Sequence, residues 1–148
     1  MNLEKYGVHS DSQHEKYEFL SEGPKGIVSK VVMYQKIDHN IYNLAFGDWD
    51  KSKQIFSDTA RSNNNDRQKI LATVAATVLD FTKHHPSATV FVKGSTPART
   101  RLYQMGIASC YLEISQEFDL YGFTKGAWKP FENNRNYEAF FLVLKLKS

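Results

Sequence analysis

The chain has 148 residues and a mass of 17.0 kDa, the size of one domain, which excludes a large multidomain enzyme. Apolar residues make up 41% and reach about 46% with the eight glycines, inside the ~45–50% range of globular domains, so neither a disordered nor a membrane-embedded chain is indicated. The net charge of +3 is unevenly held: residues 1–22 carry two cations against five acids, whereas residues 81–112 carry Lys83, Lys93, Arg99 and Arg101 and no carboxylate, a local positive potential suited to phosphate or carboxylate groups but milder than that of a strong nucleic-acid binder.

Taken in chain order, residues 17–21 and 27–34 are rich in aromatic and β-branched side chains, and Gly23, Pro24, Lys25 and Gly26 between them have the makings of a turn, so a hairpin is expected. Residues 41–46 form another strand-like run, ending at Gly47, Asp48, Trp49 and Asp50. A fourth strand is expected over about 54–61, with residues 48–52 as its turn. The period then changes: Ile70, Leu71, Val74, Val78 and Phe81 recur at helical spacing, with Asn65 or Asp66 placed to cap the start and Pro86 forcing a stop near His84. Residues 88–92 read as a short buried strand. Thr96 as N-cap and Pro97 at the first helical position open a second helix, which runs to about Met105 with Gly106 as its breaker. Residues 118–123 and 137–146 read as two closing strands, joined by a loop that carries Gly126, Trp128 and Pro130. The resulting order is ββββαβαββ, a single α+β domain with a mixed, largely antiparallel sheet and two main helices.

No run approaches the ~18–20 apolar residues of a membrane helix, and the first ten residues lack the apolar stretch of a secretory leader, so a cytoplasmic protein without membrane contact is expected. One cysteine, Cys110, permits neither an internal disulfide nor a thiolate metal cluster, and it reads as a buried thiol. His84 and His85 are adjacent, whereas a shared metal face on a helix needs four-residue spacing, so no metal is expected. Asp48 and Asp50 flank Trp49 without the glycine-spaced loop of a calcium motif and read as a solvated turn. There is no Gly-x-Ser-x-Gly, no Walker loop and no zinc signature.

Two helix starts can take an anion. At the first, Lys93, Gly94, Ser95 and Thr96 precede a helix N-terminus with Arg99 and Arg101 close behind; the same residues also make an ordinary capped turn. Arg99 and Arg101 lie two apart and point in different directions on a helix. At the second, Asn64, Asn65 and Arg67 open the long helix, and an asparagine-rich turn explains them equally well. Tyr103 carries a phenol able to donate a proton, although an aromatic beside Leu102 is also an ordinary packing residue. Trp49, Trp128 and Phe131 could form an apolar partner patch or complete the core.

The blocks Tyr17-Glu18-Phe19-Leu20-Ser21-Glu22-Gly23-Pro24-Lys25-Gly26, Tyr42-Asn43-Leu44-Ala45-Phe46-Gly47-Asp48, Asp66-Arg67-Gln68-Lys69-Ile70-Leu71-Ala72-Thr73-Val74-Ala75 and Lys93-Gly94-Ser95-Thr96-Pro97-Ala98-Arg99-Thr100-Arg101-Leu102-Tyr103-Gln104-Met105-Gly106-Ile107 resemble the recurring blocks of an uncharacterised family of small bacterial proteins. That likeness covers nearly the whole chain and implies a bacterial cytosolic protein without implying an activity. The order of elements over about 54–123 also resembles the core of the GCN5-related N-acetyltransferases without their first two helices. In that superfamily a helix reads roughly Asn, two residues, Ala, several residues, Leu-Tyr, two or three residues, Gly-Phe; Ser95 to Ile107 is similar, and Tyr103 falls where the general acid often stands. The resemblance implies acetyl-CoA as cofactor, attack of an amine on the thioester, a base near Asp58 or a water, and protonation of the departing thiolate by Tyr103. The superfamily's glycine-spaced pyrophosphate loop would fall at Arg61 to Lys69, where there is no glycine. That departure, the carboxylate-free segment and the acidic N-terminus support the alternative of a toxin-antitoxin or defence component that binds RNA, a nucleotide, a small protein or a second copy of the chain.

Overall fold

Left-handed turn residues fold the first half of the chain into a meander. In the computed structural model, which describes residues 4–57 and 64–145, strands β1 (His9–Ser10), β2 (Lys16–Gly23), β3 (Gly26–Asp38) and β4 (Ile41–Asp50) pair in succession as antiparallel neighbours. Gly26 at φ +87° closes the β2–β3 turn and Asn40 at φ +57° the β3–β4 turn, conformations open to glycine and tolerated by asparagine. Strand β5 (Ile55–Ser57) lies against the far end of β4, pairing Ser57 with Asp48.

Helix α1 (Arg67–His84) carries the chain across to β6 (Thr89–Val92), which pairs in parallel with β4 only from Ile41↔Thr89 to Leu44↔Val92. Helices α2 (Pro97–Ser109) and α3 (Tyr111–Glu117) follow, then β7 (Phe118–Thr124), β8 (Ala127–Pro130) and β9 (Ala139–Leu144). The sheet order is β1-β2-β3-β4-β6-β9-β7-β8, with β5 beside β4 and every pairing but β4–β6 antiparallel. The fold is therefore α+β with a mixed, mostly antiparallel sheet, as the sequence leads one to expect, and with three helices among the described residues where two main helices were expected.

Alternation decides which face is covered. Tyr17, Phe19, Val32, Tyr34, Leu44, Val90, Val92, Phe140 and Leu142 are buried, and all three helices turn side chains toward this face: Val74, Val78 and Phe81 from α1, Ile107 from α2 and Ile114 from α3. The opposite face carries a stripe of rings in which Trp128 touches Phe91, Phe123 and Phe141, and Phe141 stacks on Tyr121. Trp128 is 41% exposed, whereas Phe131 is 6% exposed within the helix-covered core and Trp49 lies under the Lys16 ammonium, so these three aromatics do not form one patch.

Three boundaries differ from the sequence reading, each for a physical reason, and a fourth is seen only in part. Residues 47–50 continue β4 instead of turning, because Asp48 is paired on both sides, by Lys30 of β3 and Ser57 of β5. The strand expected over 54–61 is β5 as far as Ser57, and its remainder lies outside the described residues. Gly106 does not break α2. It lies inside the helix, where a Cβ would come within 2.9 Å of Leu71 Cδ2, so its role is close approach between α1 and α2. The loop around Trp128 is the strand β8, folded back on β7 by Lys125 and Gly126, at φ +51° and +76°, a pair of left-handed residues that matches strand twist. Among the described residues no helix is long and apolar enough to cross a membrane.

Candidate functional site

The residues singled out in the sequence fall at three places: the starts of α1 and α2, and a pocket between the helices. At the start of α1, Asn64 is buried and its side chain is fully engaged. Its Nδ2 donates to Ser21 Oγ at 3.0 Å and to the Gly26 carbonyl at 3.1 Å, and its Oδ1 accepts from the Lys25 N–H at 2.8 Å. Asn64 thus ties the β2–β3 turn to the helix start, and Gly23 is glycine because a Cβ there would lie 2.3 Å from the Asn64 carbonyl oxygen. We expect Asn64→Ala to cost about 1–3 kcal/mol of stability through the buried Ser21 hydroxyl and turn groups it leaves behind; urea unfolding checks this, and an unchanged midpoint would deny the staple.

Asp66 occupies the N-cap position of α1 without capping it. Its carboxylate instead accepts the Ser21 hydroxyl at 2.5 Å and the Tyr6 hydroxyl at 2.6 Å, bonds that a charged acceptor makes stronger than a backbone cap. Burial first, and then the Asp66 carboxylate, push the Tyr6 phenol above its ordinary value. Lys69 sits over the Tyr6 ring at 4.1 Å. Around these groups opens a polar cleft of about 670 Å³, lined among others by Glu4, Glu22, Asn65, Asp66, Gln68 and Lys69. Asn65 holds φ +57°, and Arg67 is exposed beside the cleft.

At the start of α2 the expected cap is present: Thr96 Oγ1 accepts the Arg99 N–H at 3.2 Å, and Pro97 fills the first turn. Gly94 donates its N–H to Thr100 Oγ1 at 3.0 Å, and a Cβ on it would lie 2.4 Å from the Thr100 nitrogen. The N–H groups of Gly94, Arg99 and Thr100 are thus engaged within the chain, and Pro97 has none to offer. Lys93, Ser95, Thr96 and Arg101 are exposed, and Arg99 is half-buried.

Tyr103 is half-buried between the helices. It lines an apolar pocket of about 60 Å³ with Leu44 and Val92 of the parallel strands, Leu71 and Val74 of α1, and Ile107 of α2, well above the ~10–15 Å³ that one water needs. Asp58 lies outside the described residues. His84 and His85 have different surroundings, His85 stacked on Phe81 and His84 turned outward. Cys110 is the buried thiol expected, and burial raises its pKa.

The sequence reading missed a buried ion pair on the helix-covered face. Lys30 Nζ donates to Asp48 Oδ1 across the β3–β4 pair, with side chains only 6% and 17% exposed. The signal was present in the alternation: Val28, Lys30, Val32 and Tyr34 share one face of β3, so the lysine stands in an inward position.

Residues 2–145 match the model of a family of unknown function, DUF6934. No curated protein matches the chain. No solved structure matches it either.

Proposed function

Because the chain belongs to this family of unknown function, a membership that brings no activity with it, we propose from the geometry that the domain is an acyl-CoA-dependent N-acyltransferase. The observation that carries the reading is the position of Tyr103, whose side chain lines the apolar pocket where α1 and α2 cross the parallel strands β4 and β6. An acyl group fits an apolar pocket of that kind, and a phenol at its wall is the proton donor that thioester aminolysis needs. In the reaction a neutral amine attacks the thioester carbonyl, the C–N bond forms and the C–S bond breaks. The amine's surplus proton goes to a base near Asp58 or to water, and the Tyr103 hydroxyl protonates the departing thiolate. Asn65, Arg67, Lys93, Ser95, Thr96, Arg99 and Arg101, at the two helix starts, are the groups proposed to hold the cofactor's phosphates, with Asn64 bracing the first start and the buried Gly94, its N–H given to Thr100 Oγ1, shaping the second.

Thermal melts with acetyl-CoA test the reading. Ligand at 100 times its dissociation constant stabilises by about 2.7 kcal/mol, and each kcal/mol raises the midpoint by roughly 2–4 °C at this chain length. The expected result is a saturable rise that weakens in Arg67→Ala, with transfer to an amine falling about 10²–10⁴-fold in Tyr103→Phe. No shift at millimolar acetyl-CoA, or full transfer by Tyr103→Phe, overturns it.

A second reading, a toxin-antitoxin or defence component acting by binding alone, is favoured by the carboxylates Glu4, Glu22 and Asp66 around the polar cleft, which oppose a pyrophosphate there. The same carboxylates oppose RNA phosphates at the cleft, so an RNA would lie on the carboxylate-free segment 81–112, and an affinity that falls steeply with salt would support that reading.

A further inference from the structure

At the end of α1 remote from the polar cleft, three side chains from two distant parts of the sequence meet. Asp80 and His84 lie one helical turn apart, which puts both on one face of α1. His14 comes from the turn between β1 and β2, where its backbone stands at φ +55°. That turn is fixed independently of the cluster: the His14 N–H donates to the Asp11 carbonyl, and Asp11 Oδ1 accepts the N–H groups of Glu15 and Lys16. One donor atom from each of His14, Asp80 and His84 lies within 4.8 Å of the other two. His14 Nδ1 is 2.8 Å and His84 Nδ1 3.8 Å from Asp80 Oδ2, and the two imidazole rings stack face to face at 3.6 Å and 6°. Tyr17, which is 1% exposed, orients the carboxylate from below by donating its hydroxyl to Asp80 Oδ2 at 2.7 Å.

We propose that His14, Asp80 and His84 form a binding site for one divalent transition-metal ion of the zinc class. Two imidazole nitrogens and one carboxylate are the ligand types that first-row transition ions accept, whereas magnesium and calcium prefer all-oxygen shells. Three protein ligands leave at least one position for water. A buried tyrosine holding the ligating carboxylate is the outer-shell support such sites use to fix ligand direction. On binding, the ion takes the place of the proton between His14 Nδ1 and Asp80 and of the one His84 Nδ1 donates to the Asp80 carbonyl at 2.9 Å; each proton moves to the Nε2 of its own ring or, from a charged ring, to solvent. The bound ion clasps the β1–β2 turn to α1, so it couples the N-terminal turn to the helix whose other end borders the polar cleft. The inference stands apart from the acyltransferase reading, since none of its residues lines the cleft or the apolar pocket.

The test is a titration of the untagged, metal-free chain with Co²⁺, followed by visible absorption, then displacement by Zn²⁺ against a chromophoric chelator. The expected result is one ion per chain with a ligand-field spectrum, no competition from Mg²⁺, and Zn²⁺ affinity at least about 100-fold weaker in His84→Ala and in His14→Ala. His84 is exposed, so His84→Ala keeps the fold, which circular dichroism verifies. His85→Ala removes no ligand but loses the Nε2 hydrogen bond to the Gln13 carbonyl at 2.9 Å, beside His14, so it is expected to weaken the affinity far less than His84→Ala. Unchanged Zn²⁺ affinity in His84→Ala, equal losses in His84→Ala and His85→Ala, or no stoichiometric binding would overturn the site.

Discussion

Replacing Asp48 by alanine is expected to destabilise the domain by about 3–5 kcal/mol, the usual cost of removing one partner from a buried ion pair. Lys30 is 5% exposed and stands on the helix-covered face of β3, on the same side as Val32 and directly opposite Asp48 of β4. Without this carboxylate the ammonium keeps its desolvation cost and loses the Asp48 charge that helps to offset it. The loss is a large fraction of the roughly 5–15 kcal/mol that holds a domain of this kind folded, and urea unfolding at neutral pH measures it. The paired replacement Lys30→Met with Asp48→Leu is expected to cost far less and can even stabilise, because both charges then leave the interior together. A loss under about 1 kcal/mol in Asp48→Ala would mean that water reaches Lys30 and that the pair behaves like a surface bridge. If the double variant is stable yet fails in the acetyl-CoA assays, the pair serves the cleft side of the sheet and not the fold.

That pair also marks how far the sequence could be read. Strands β2 and β3, the helix over 67–84 and the Thr96-Pro97 start of α2 were legible because their signals are local: alternation, helical period, a cap and a proline. Gly106 was misread because its reason is tertiary, the side chain of Leu71 on another helix, and no local rule separates a breaker from a packing glycine. Asn64 was placed correctly at a helix start, but its partners Ser21, Lys25 and Gly26 are some forty residues away, so its structural use was invisible. The same holds for the imidazole-carboxylate cluster. Asp80 and His84 have the four-residue spacing, but they put only one imidazole and one carboxylate on that face, and the third group, His14, is supplied by a turn 66 residues before Asp80. Functional groups on this chain gather by topology, and a reading that weighs neighbours in sequence sees only half of each site.

Phe81→Ala is the other substitution with a large expected effect, about 3–5 kcal/mol, the range for truncating a buried aromatic. Phe81 is fully buried and stacks on Tyr34 at 4.1 Å and 6°, while Tyr42 meets it edge-on at 5.0 Å and His85 lies over it at 4.5 Å. Tyr34 in turn meets Tyr17 edge-on and shares a hydrogen bond with Thr77 of α1 at 2.8 Å, so one ring connects β2, β3 and β4 to the last turns of the helix. Truncation removes dispersion contacts on three sides of a close-packed site and leaves a cavity that stiff aromatic neighbours cannot fill. Phe81→Leu keeps most of the volume and is expected to cost less than about 1.5 kcal/mol. Thermal or urea unfolding of both variants checks the pair of values. A small loss in Phe81→Ala would show that Tyr34 and Tyr42 collapse inward. Because Tyr17, in contact with Tyr34, also orients Asp80, such a collapse would reach the metal ligands as well, and Zn²⁺ affinity in Phe81→Ala would fall even though no ligand had been changed.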